Sequence, residues 1–409
     1  MTEHNRSKFG RYYTKPAVGK ALVDLLLRRP EGLIDLGVGG GSLTLAAARR
    51  WLNLDLLTID VDARSDRRLS KLLASEAIYR HRHLRADALD PGLASWVREE
   101  FGRFDAAVCN PPFTTPVWRQ GFDEILEDAG FSGCMPVLAD SDSALLFLSQ
   151  ALRLLGQGST LGMILPDSLV SGAKYRKFRQ ELLRRYQVDA VVRLPGGSFM
   201  HTDALAHILI IRKGYGGSHS IPLRKLVGGK LLSEITMVDV QQAATRMDFD
   251  FHSTTIVQAG RARASSFRSL GEVADGIHRG SVQATASRRA GIRVFHTTDI
   301  TEPLAGQWIE LSARRPSTSD RRTWAEPGDV LVARVGRNFE RKVVGVSSGY
   351  ALLTDCVYRV QMPRDLARRT LEQLSNNDGR AWLASRSSGV GAKHLSIADL
   401  GQFPICLEG

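Results

Sequence analysis

The chain has 409 residues, of which 43% are hydrophobic and 24% are charged. This length exceeds what one simple core accommodates and predicts two or three domains, and the composition is that of an ordinary globular protein. The net charge of +12 favours a polyanionic partner, although a solvated basic surface alone could produce it, and it does not distinguish DNA from RNA.

Simple sequence patterns argue against several classes of protein. No apolar run approaches the length of a membrane span, and the first twenty residues lack the apolar core of a signal peptide. We therefore expect a cytoplasmic protein that does not bind membranes. The four cysteines are far apart and show no metal-ligand spacing, which argues against a disulfide framework and against a metal site: Cys109, Cys134, Cys356 and Cys406.

The first predicted helix follows Thr14 and Pro16, which together look like a helix start. Apolar residues at helical spacing continue from Ala17 to Leu27. A glycine-dense turn comes next, after the apolar run of residues 32–36.

Gly37, Gly39 and Gly41 lie in this turn, between a strand that contains Asp35 and an Ala/Leu-rich helix. Glycines let the backbone approach a ligand closely, and the start of a helix offers free N–H groups. The spacing is not the dinucleotide pattern, and no Gly-Lys-Ser/Thr follows, which excludes a P-loop. Any tight strand–helix connection also needs glycine, so the turn alone is weak support for a binding site.

Two acidic residues follow at the ends of later apolar runs. Asp60 ends the strand predicted over residues 56–62 and lies 25 positions after Asp35. A carboxylate in this place can bind ribose hydroxyls, or it can simply cap the next helix. Asp87 comes after a third apolar stretch and could accept a hydrogen bond from an exocyclic amine.

Asn110-Pro111-Pro112-Phe113 follows the apolar run of residues 104–108. The two prolines end the strand, so Asn110 stands at its carboxyl end, where open α/β sheets bind ligands. The Asn110 amide oxygen and the Pro111 carbonyl can accept the two N–H protons of a planar amine, and Phe113 can stack on its ring. The alternative interpretation of these residues is an ordinary turn.

Helices and strands continue to alternate to about residue 211, which predicts an α/β fold with a doubly wound, Rossmann-like sheet. We place this domain at residues 1–220. Residues 221–265 are interpreted as a connector. Residues 266–409 show short strand-like runs and a helix at roughly 365–385, which predicts a separate β-rich (α+β) domain.

Together these stretches resemble the γ class of DNA adenine-N6 methyltransferases, over about residues 9–213. The resemblance implies S-adenosylmethionine as the cofactor. By their match to the family's motifs, it implies that the residues that bind this cofactor are Tyr12, Thr14, Asp35, Gly37, Gly39, Gly41, Asp60 and Asp87. The sequence Asp-Leu-Gly-Val-Gly-Gly-Gly departs from the family's commoner Asp-Pro-x-Cys-Gly-Thr-Gly, which leaves side-chain roles in the turn open but keeps the backbone requirement.

The same resemblance implies the residues that act on the target base. Asn110, Pro111, Pro112 and Phe113 match the family's catalytic motif. Residues 194–199 resemble its motif VIII, in which Phe199 would pack with Phe113 on a flipped-out adenine.

From about residue 237 the chain resembles the target-recognition domains of type I specificity subunits. Four short stretches in the family's order carry this resemblance, at residues 246–248, 271–273, 328–334 and 391–395. It implies one DNA half-site per chain. We expect basic residues of this region to contact DNA: Arg334, Arg337 and Lys342.

The function implied is site-specific transfer of a methyl group to N6 of adenine in duplex DNA, in restriction–modification or phage defence. A separate restriction nuclease or other defence subunits are candidate partners, a fused nuclease is not expected, and the chain would act near the nucleoid as a monomer or homodimer. Cytosine N4 methylation, an RNA or protein-glutamine methyltransferase and a catalytically inactive DNA-binding module remain alternatives.

Overall fold

The computed structural model describes residues 14–76, 80–135, 137–200, 204–262, 266–286, 293–314, 316–317, 319–336, 338–387 and 393–407. Contacts between Cα atoms divide the chain into two compact units, residues 1–249 and 250–409. Each unit has a hydrophobic core of its own. In the part of the chain that is described, no helix combines the length and apolar character needed to cross a bilayer.

The first unit alternates strands and helices. Its strands are β1 (Gly32–Leu36), β2 (Asp55–Asp60), β3 (His81–Arg85), β4 (Phe104–Cys109), β5 (Leu155–Pro166), β6 (Gln187–Arg193), β7 (Ala206–Arg212), β8 (Ser220–Val227), β9 (Lys230–Leu231) and β10 (Thr236–Asp239). Its helices are α1 (Pro16–Asp24), α2 (Ser42–Arg50), α3 (Arg64–Ala74), α4 (Leu93–Phe101), α5 (Phe122–Asp128), α6 (Ser143–Leu154), α7 (Asp167–Ser171), α8 (Arg176–Arg185) and α9 (Val240–Thr245).

These strands form one sheet in the order β10-β8-β6-β7-β5-β4-β1-β2-β3, with β9 paired to β8. The central run from β5 through β4, β1 and β2 to β3 is parallel, whereas β7 runs antiparallel between β5 and β6. The predicted α/β fold with a doubly wound, Rossmann-like sheet is therefore confirmed. The carboxyl ends of the parallel strands share one edge, where such sheets bind ligands.

Helices cover both faces of this sheet because successive residues of each buried strand point to opposite sides. In β4, Ala106 and Val108 pack into the cluster that contains α1 and α2, whereas Ala107 and Cys109 pack into the cluster that contains α4, α5 and α6. All four side chains are buried. The near-continuous apolar run of residues 104–109 is therefore explained by a strand that is buried on both faces.

The sheet extends further along the chain than the sequence indicated. Residues 221–239, interpreted as part of a connector, supply β8, β9 and β10, and β8 pairs in parallel with β6. Residues 246–248, which resembled a recognition-domain motif, also lie in the first unit. The reason is a buried ion pair, since Arg193 Nη1 on β6 donates to Asp248 Oδ2 at 2.6 Å.

Helix α10 (Phe249–Ala262) begins where the first unit ends. The strands of the second unit are β11 (Phe267–Ser269), β12 (Gly276–Arg279), β13 (Trp308–Glu310), β14 (Trp324–Ala325), β15 (Val330–Ala333), β16 (Val343–Ser348), β17 (Ala351–Leu352), β18 (Val357–Gln361) and β19 (Pro404–Cys406). Its other helices are α11 (Leu270–Val273), α12 (Arg364–Ser375), α13 (Asn377–Arg386) and α14 (Ile397–Gly401).

Five strands of the second unit form a sheet in the order β12-β18-β15-β16-β13, and two small two-stranded sheets pair β11 with β19 and β14 with β17. Helices α12 and α13 replace the single helix predicted at roughly 365–385. The break comes at Asn376, whose side-chain oxygen accepts a hydrogen bond from the Gly379 N–H at 2.8 Å and so starts a new helix.

Candidate active site

Asn110 follows β4, which lies between β1 and β5 near the middle of the sheet. Pro111 and Pro112 cannot continue the strand ladder because they have no backbone N–H. The chain therefore turns away and leaves Asn110 at the strand end. Its side-chain amide nitrogen donates a hydrogen bond to Thr14 Oγ1 at 2.8 Å, which holds the amide plane in one orientation.

The glycine turn adopts the backbone conformation that the sequence indicated. Gly37, Gly39 and Gly41 all have positive φ, at 75°, 53° and 77°. A Cβ atom on Gly41 would lie 2.6 Å from Leu69 Cδ2, and one on Gly37 would lie 3.1 Å from Phe147 Cε1. The positive φ favours glycine at all three positions, and the nearby side chains leave little room for a Cβ atom at Gly37 and Gly41. The turn is therefore a backbone surface that a ligand can approach closely.

Asp35 and Asp60 support the glycine turn from two neighbouring strands. Asp35 Oδ2 accepts hydrogen bonds from the Thr44 N–H at 3.1 Å and the Thr44 hydroxyl at 2.5 Å, which ties β1 to the first turn of α2. Burial raises the pKa of Asp35 to about 7, although the Thr44 hydrogen bonds oppose that rise. Asp60 Oδ2 accepts the Gly39 N–H at 2.9 Å, so the predicted ribose ligand also holds the turn.

Asp87, the predicted acceptor for an exocyclic amine, lies after β3. One of its oxygens pairs with Arg119 Nη2 at 2.7 Å, and the other accepts the Leu89 N–H at 2.9 Å. Both members of the ion pair are about half exposed, at 45% for Asp87 and 47% for Arg119. An exposed pair of this kind is weak, so a ligand can displace Arg119.

Phe113 and Phe199 meet edge to face, with ring centroids 5.8 Å apart and an interplanar angle of 87°. Phe113 is half-buried, but Phe199 is only 2% exposed and packs into the core cluster with Val192 and Leu194. The sequence suggested that both rings stack on a base. In this conformation the perpendicular rings leave no parallel slot between them, and the face of Phe199 is covered.

A cavity of about 560 Å³ lies at the carboxyl edge of the sheet, and Gly41, Pro111, Phe113 and Phe199 are not among the residues that line it. Among the residues expected from the sequence, it is lined by Thr14, Asp35, Gly37, Gly39, Asp60, Asp87, Asn110 and Pro112. The structure adds several that sequence reasoning missed: Val38, Gly40, Ser42, Leu43, Val61, Arg68, Ala88, Phe147 and Met200. Ser42 follows Gly41 directly, so the glycine turn points to it, whereas Phe147 is one of several apolar residues of α6 and nothing in the sequence sets it apart.

None of the remaining residues that the sequence singled out is among the described residues that line this cavity. Tyr12, Arg337 and residues 391–392 lie outside the described residues. Arg334 and Lys342 are half-buried in the second unit and already donate to backbone carbonyls, at 2.8 Å to Asp355 and 2.8 Å to Thr297, respectively. Both side chains thus have structural partners within that unit.

Comparisons with known proteins identify a family and a fold that this chain resembles. Residues 1–221 match the family model described as N-6 DNA Methylase. A methylase subunit of the type I restriction enzyme MpnII from Mycoplasma pneumoniae is 28% identical over 115 residues, which is 27% of this chain and 20% of that protein. The type II methyltransferase M.BsuBI from Bacillus subtilis is 24% identical over 201 residues, which is 45% of this chain and 39% of that protein. The chain therefore matches well under half the length of these relatives.

A solved structure with a similar fold is that of the type IIG restriction endonuclease BpuSI. The match has a TM-score of 0.53 at 13% sequence identity and covers 96% of this chain and 58% of that protein. At this identity the likeness concerns the fold alone.

Proposed function

Because the chain belongs to the N-6 DNA Methylase family, we propose that it is a site-specific DNA methyltransferase that uses S-adenosylmethionine to methylate N6 of adenine in duplex DNA. One observation carries the proposal. Asn110, held by Thr14, lines the same cavity as the glycine turn and Asp60. The proposed amine acceptor and the proposed cofactor-binding residues therefore line one cavity.

The cavity fits the methyl donor. Its volume of about 560 Å³ lies within the range of small-molecule and cofactor sites. The open backbone of the glycine turn suits close approach by the amino-acid part, Asp60 suits the ribose hydroxyls, and Asp87 suits the adenine amine. When bound, S-adenosylmethionine would supply an electrophilic methyl group on a positively charged sulfur.

Asn110 and Pro111 would prepare the target nitrogen. The lone pair of an exocyclic amine is delocalised into the adenine ring, which makes the nitrogen a poor nucleophile. Hydrogen bonds from its two N–H groups to the Asn110 amide oxygen and the Pro111 carbonyl draw the nitrogen toward tetrahedral geometry and localise the lone pair. The protein thus acts chiefly by positioning, and no covalent enzyme intermediate is required.

An adenine in a duplex must leave the base stack to reach Asn110, at a cost of a few kcal/mol. Stacking of the extruded base on an aromatic ring offsets about 1–3 kcal/mol of this cost. Phe113 is the half-exposed ring and can face the base, with Phe199 packed edge-on behind it. Direct stacking on Phe199, as the resemblance suggests, would require one of the two rings to turn.

The second unit is the proposed DNA target-recognition domain. The net charge of +12 suits a phosphate backbone. Two relatives carry names from restriction–modification, a type I restriction methylase subunit and a type II methyltransferase. We place this chain in the same kind of system, with duplex DNA and a separate nuclease or other defence subunits as partners.

Incorporation of a radioactive methyl group tests the proposed function. Duplex DNA, tRNA, rRNA and a release factor are offered in parallel, and label in duplex DNA alone is the expected result. Sequencing that detects modified bases, applied to DNA from cells that express the protein, then identifies the methylated site and distinguishes adenine N6 from cytosine N4. Label in RNA or protein, or in none of the substrates, contradicts the proposal.

Asp60→Ala is expected to weaken binding of S-adenosylmethionine by about 10- to 100-fold, since hydrogen bonds to a charged group contribute about 1.5–3 kcal/mol. The loss of the Gly39 contact adds to the effect by loosening the glycine turn. Isothermal titration calorimetry measures the affinity. Asp66→Ala, which removes an exposed carboxylate from the first turn of α3, is the matched control and should bind normally. Unchanged affinity in Asp60→Ala would remove this residue from the binding site.

DNA binding is expected to weaken steeply with salt, by about a hundredfold or more between roughly 50 and 200 mM, because each neutralised phosphate releases counterions. Fluorescence anisotropy of a labelled duplex gives the slope of log affinity against log salt. Arg334→Ala and Lys342→Ala should each lower that slope by about one if their side chains exchange a backbone carbonyl for a phosphate. A slope near zero in the unmodified protein would argue against a phosphate-binding surface.

A further inference from the structure

Thr14 connects three parts of the site. Its hydroxyl accepts the hydrogen bond from the Asn110 side-chain nitrogen at 2.8 Å. Its backbone forms an isolated antiparallel bridge with Phe199, and the next residue donates from the Lys15 N–H to the Ser198 carbonyl at 3.3 Å. Thr14 also lines the cavity beside the glycine turn.

The two ends of an asparagine amide are nearly identical in shape but opposite in hydrogen bonding. An amine that donates protons needs the oxygen of Asn110 and is repelled by its NH2 group. If the amide rotated by half a turn, the Asn110 NH2 group would face the target amine in place of the oxygen, and two hydrogen-bond donors would then face each other. The half-buried surroundings at the end of β4 increase the cost of a wrong orientation, because an unpaired polar group there is desolvated.

We propose that Thr14 is a positioning residue, whose hydroxyl accepts from the amide nitrogen of Asn110 and thereby turns the amide oxygen toward the target amine. This inference rests on the proposed function and changes the role expected for Thr14, from a cofactor contact to a support for Asn110. The backbone bridge to Phe199 places the same residue beside the aromatic pair. Thr14 thus links the proposed amine acceptor, through its hydroxyl, to the backbone of the buried ring that packs edge-on against Phe113.

The variant that isolates this role is Thr14→Val, because valine has the shape of threonine without the hydroxyl. We expect the single-turnover rate of methyl transfer on the mapped DNA site to fall by about 10- to 100-fold, since small misplacements of a reacting group have effects of this order. The affinity for S-adenosylmethionine should change by less than about threefold. Thr14→Ser retains the hydroxyl and should restore most of the rate.

Two further measurements separate positioning from damage to the fold or to base extrusion. Fluorescence of 2-aminopurine at the target position reports extrusion, which should remain near normal in Thr14→Val because Phe113 and Phe199 are retained. Thr114→Val is the matched control: it is the same change one residue after Phe113, at an exposed residue whose hydroxyl contacts Ser143 Oγ, and it should leave the rate unchanged. If Thr14→Val is poorly folded by thermal denaturation, Thr14→Ala is measured against Thr14→Ser in its place.

A full methylation rate in Thr14→Val would overturn the inference, and so would a fall that Thr14→Ser shares. A loss of cofactor affinity that accounts for the whole loss of rate would return Thr14 to the role of a cofactor contact. These results differ from a failure of the proposed function itself, in which the unmodified protein transfers no methyl group to DNA and the Thr14 variants have no rate to compare.

Discussion

Asn110→Ala is expected to lower the rate of methyl transfer by about 10³-fold or more while the affinity for S-adenosylmethionine stays within about threefold of normal. The physical reason is that alanine removes the oxygen that accepts from the target amine, and loss of one preorganised hydrogen-bonding group of this kind costs about 10²- to 10³-fold. The hydrogen bond to Thr14 is lost in the same change, which adds to the effect. Single-turnover methylation and calorimetry measure the two quantities separately.

Asn110→Asp makes the test sharper. Aspartate keeps an acceptor oxygen and the size of the side chain, but an ionised carboxylate has no N–H to donate to Thr14. We expect a rate between those of Asn110→Ala and the unmodified protein. Near-normal turnover in Asn110→Ala would remove this residue from the site, and a parallel collapse of cofactor affinity would indicate that its main role is to shape the cavity.

Asp248→Ala is expected to destabilise the first unit by about 3–5 kcal/mol, because it leaves buried arginine side chains without the carboxylate that balances their charge. The Asp248 side chain is 1% exposed and lies 2.6 Å from Arg193 and 3.6 Å from Arg246, which are themselves buried. Burial alone would raise the pKa of Asp248, but the positive charges of Arg193 and Arg246 hold it below its usual value. Urea unfolding followed by circular dichroism measures the change in the free energy of unfolding.

The direction of the pKa shift gives a second test of Asp248. Its folded-state pKa is depressed, so its stabilising contribution is present at neutral pH and is lost as the pH falls through the unfolded and then the folded value. The difference in stability between the unmodified protein and Asp248→Ala should therefore narrow below about pH 4. Asp24→Ala, which breaks exposed pairs with Lys20 and Arg50, is the control and should cost less than about 1 kcal/mol. An equal effect of the two changes would show that the buried pair is not a main source of stability.

The elements of the first unit follow closely from local sequence because local physics decides them. The glycine turn needs positive φ, and only glycine adopts it without strain, so Gly37, Gly39 and Gly41 could be placed from the sequence. Asn110 could be placed at a strand end because two prolines must stop the strand. In contrast, residues 221–239 lack the long apolar runs of the central strands, and their place in the sheet depends on an available edge beside β6.

Local sequence was enough to predict a doubly wound sheet, a glycine turn after its first strand and a side-chain amide at the end of its fourth, since each depends on backbone preferences and on apolar periodicity within a few residues. Three contacts between distant groups became visible only in the folded chain: Thr14 with Asn110, Phe147 with the glycine turn, and Asp248 with Arg193. Those contacts join residues 55 to 110 positions apart and depend on strand order and helix packing, which no local preference encodes.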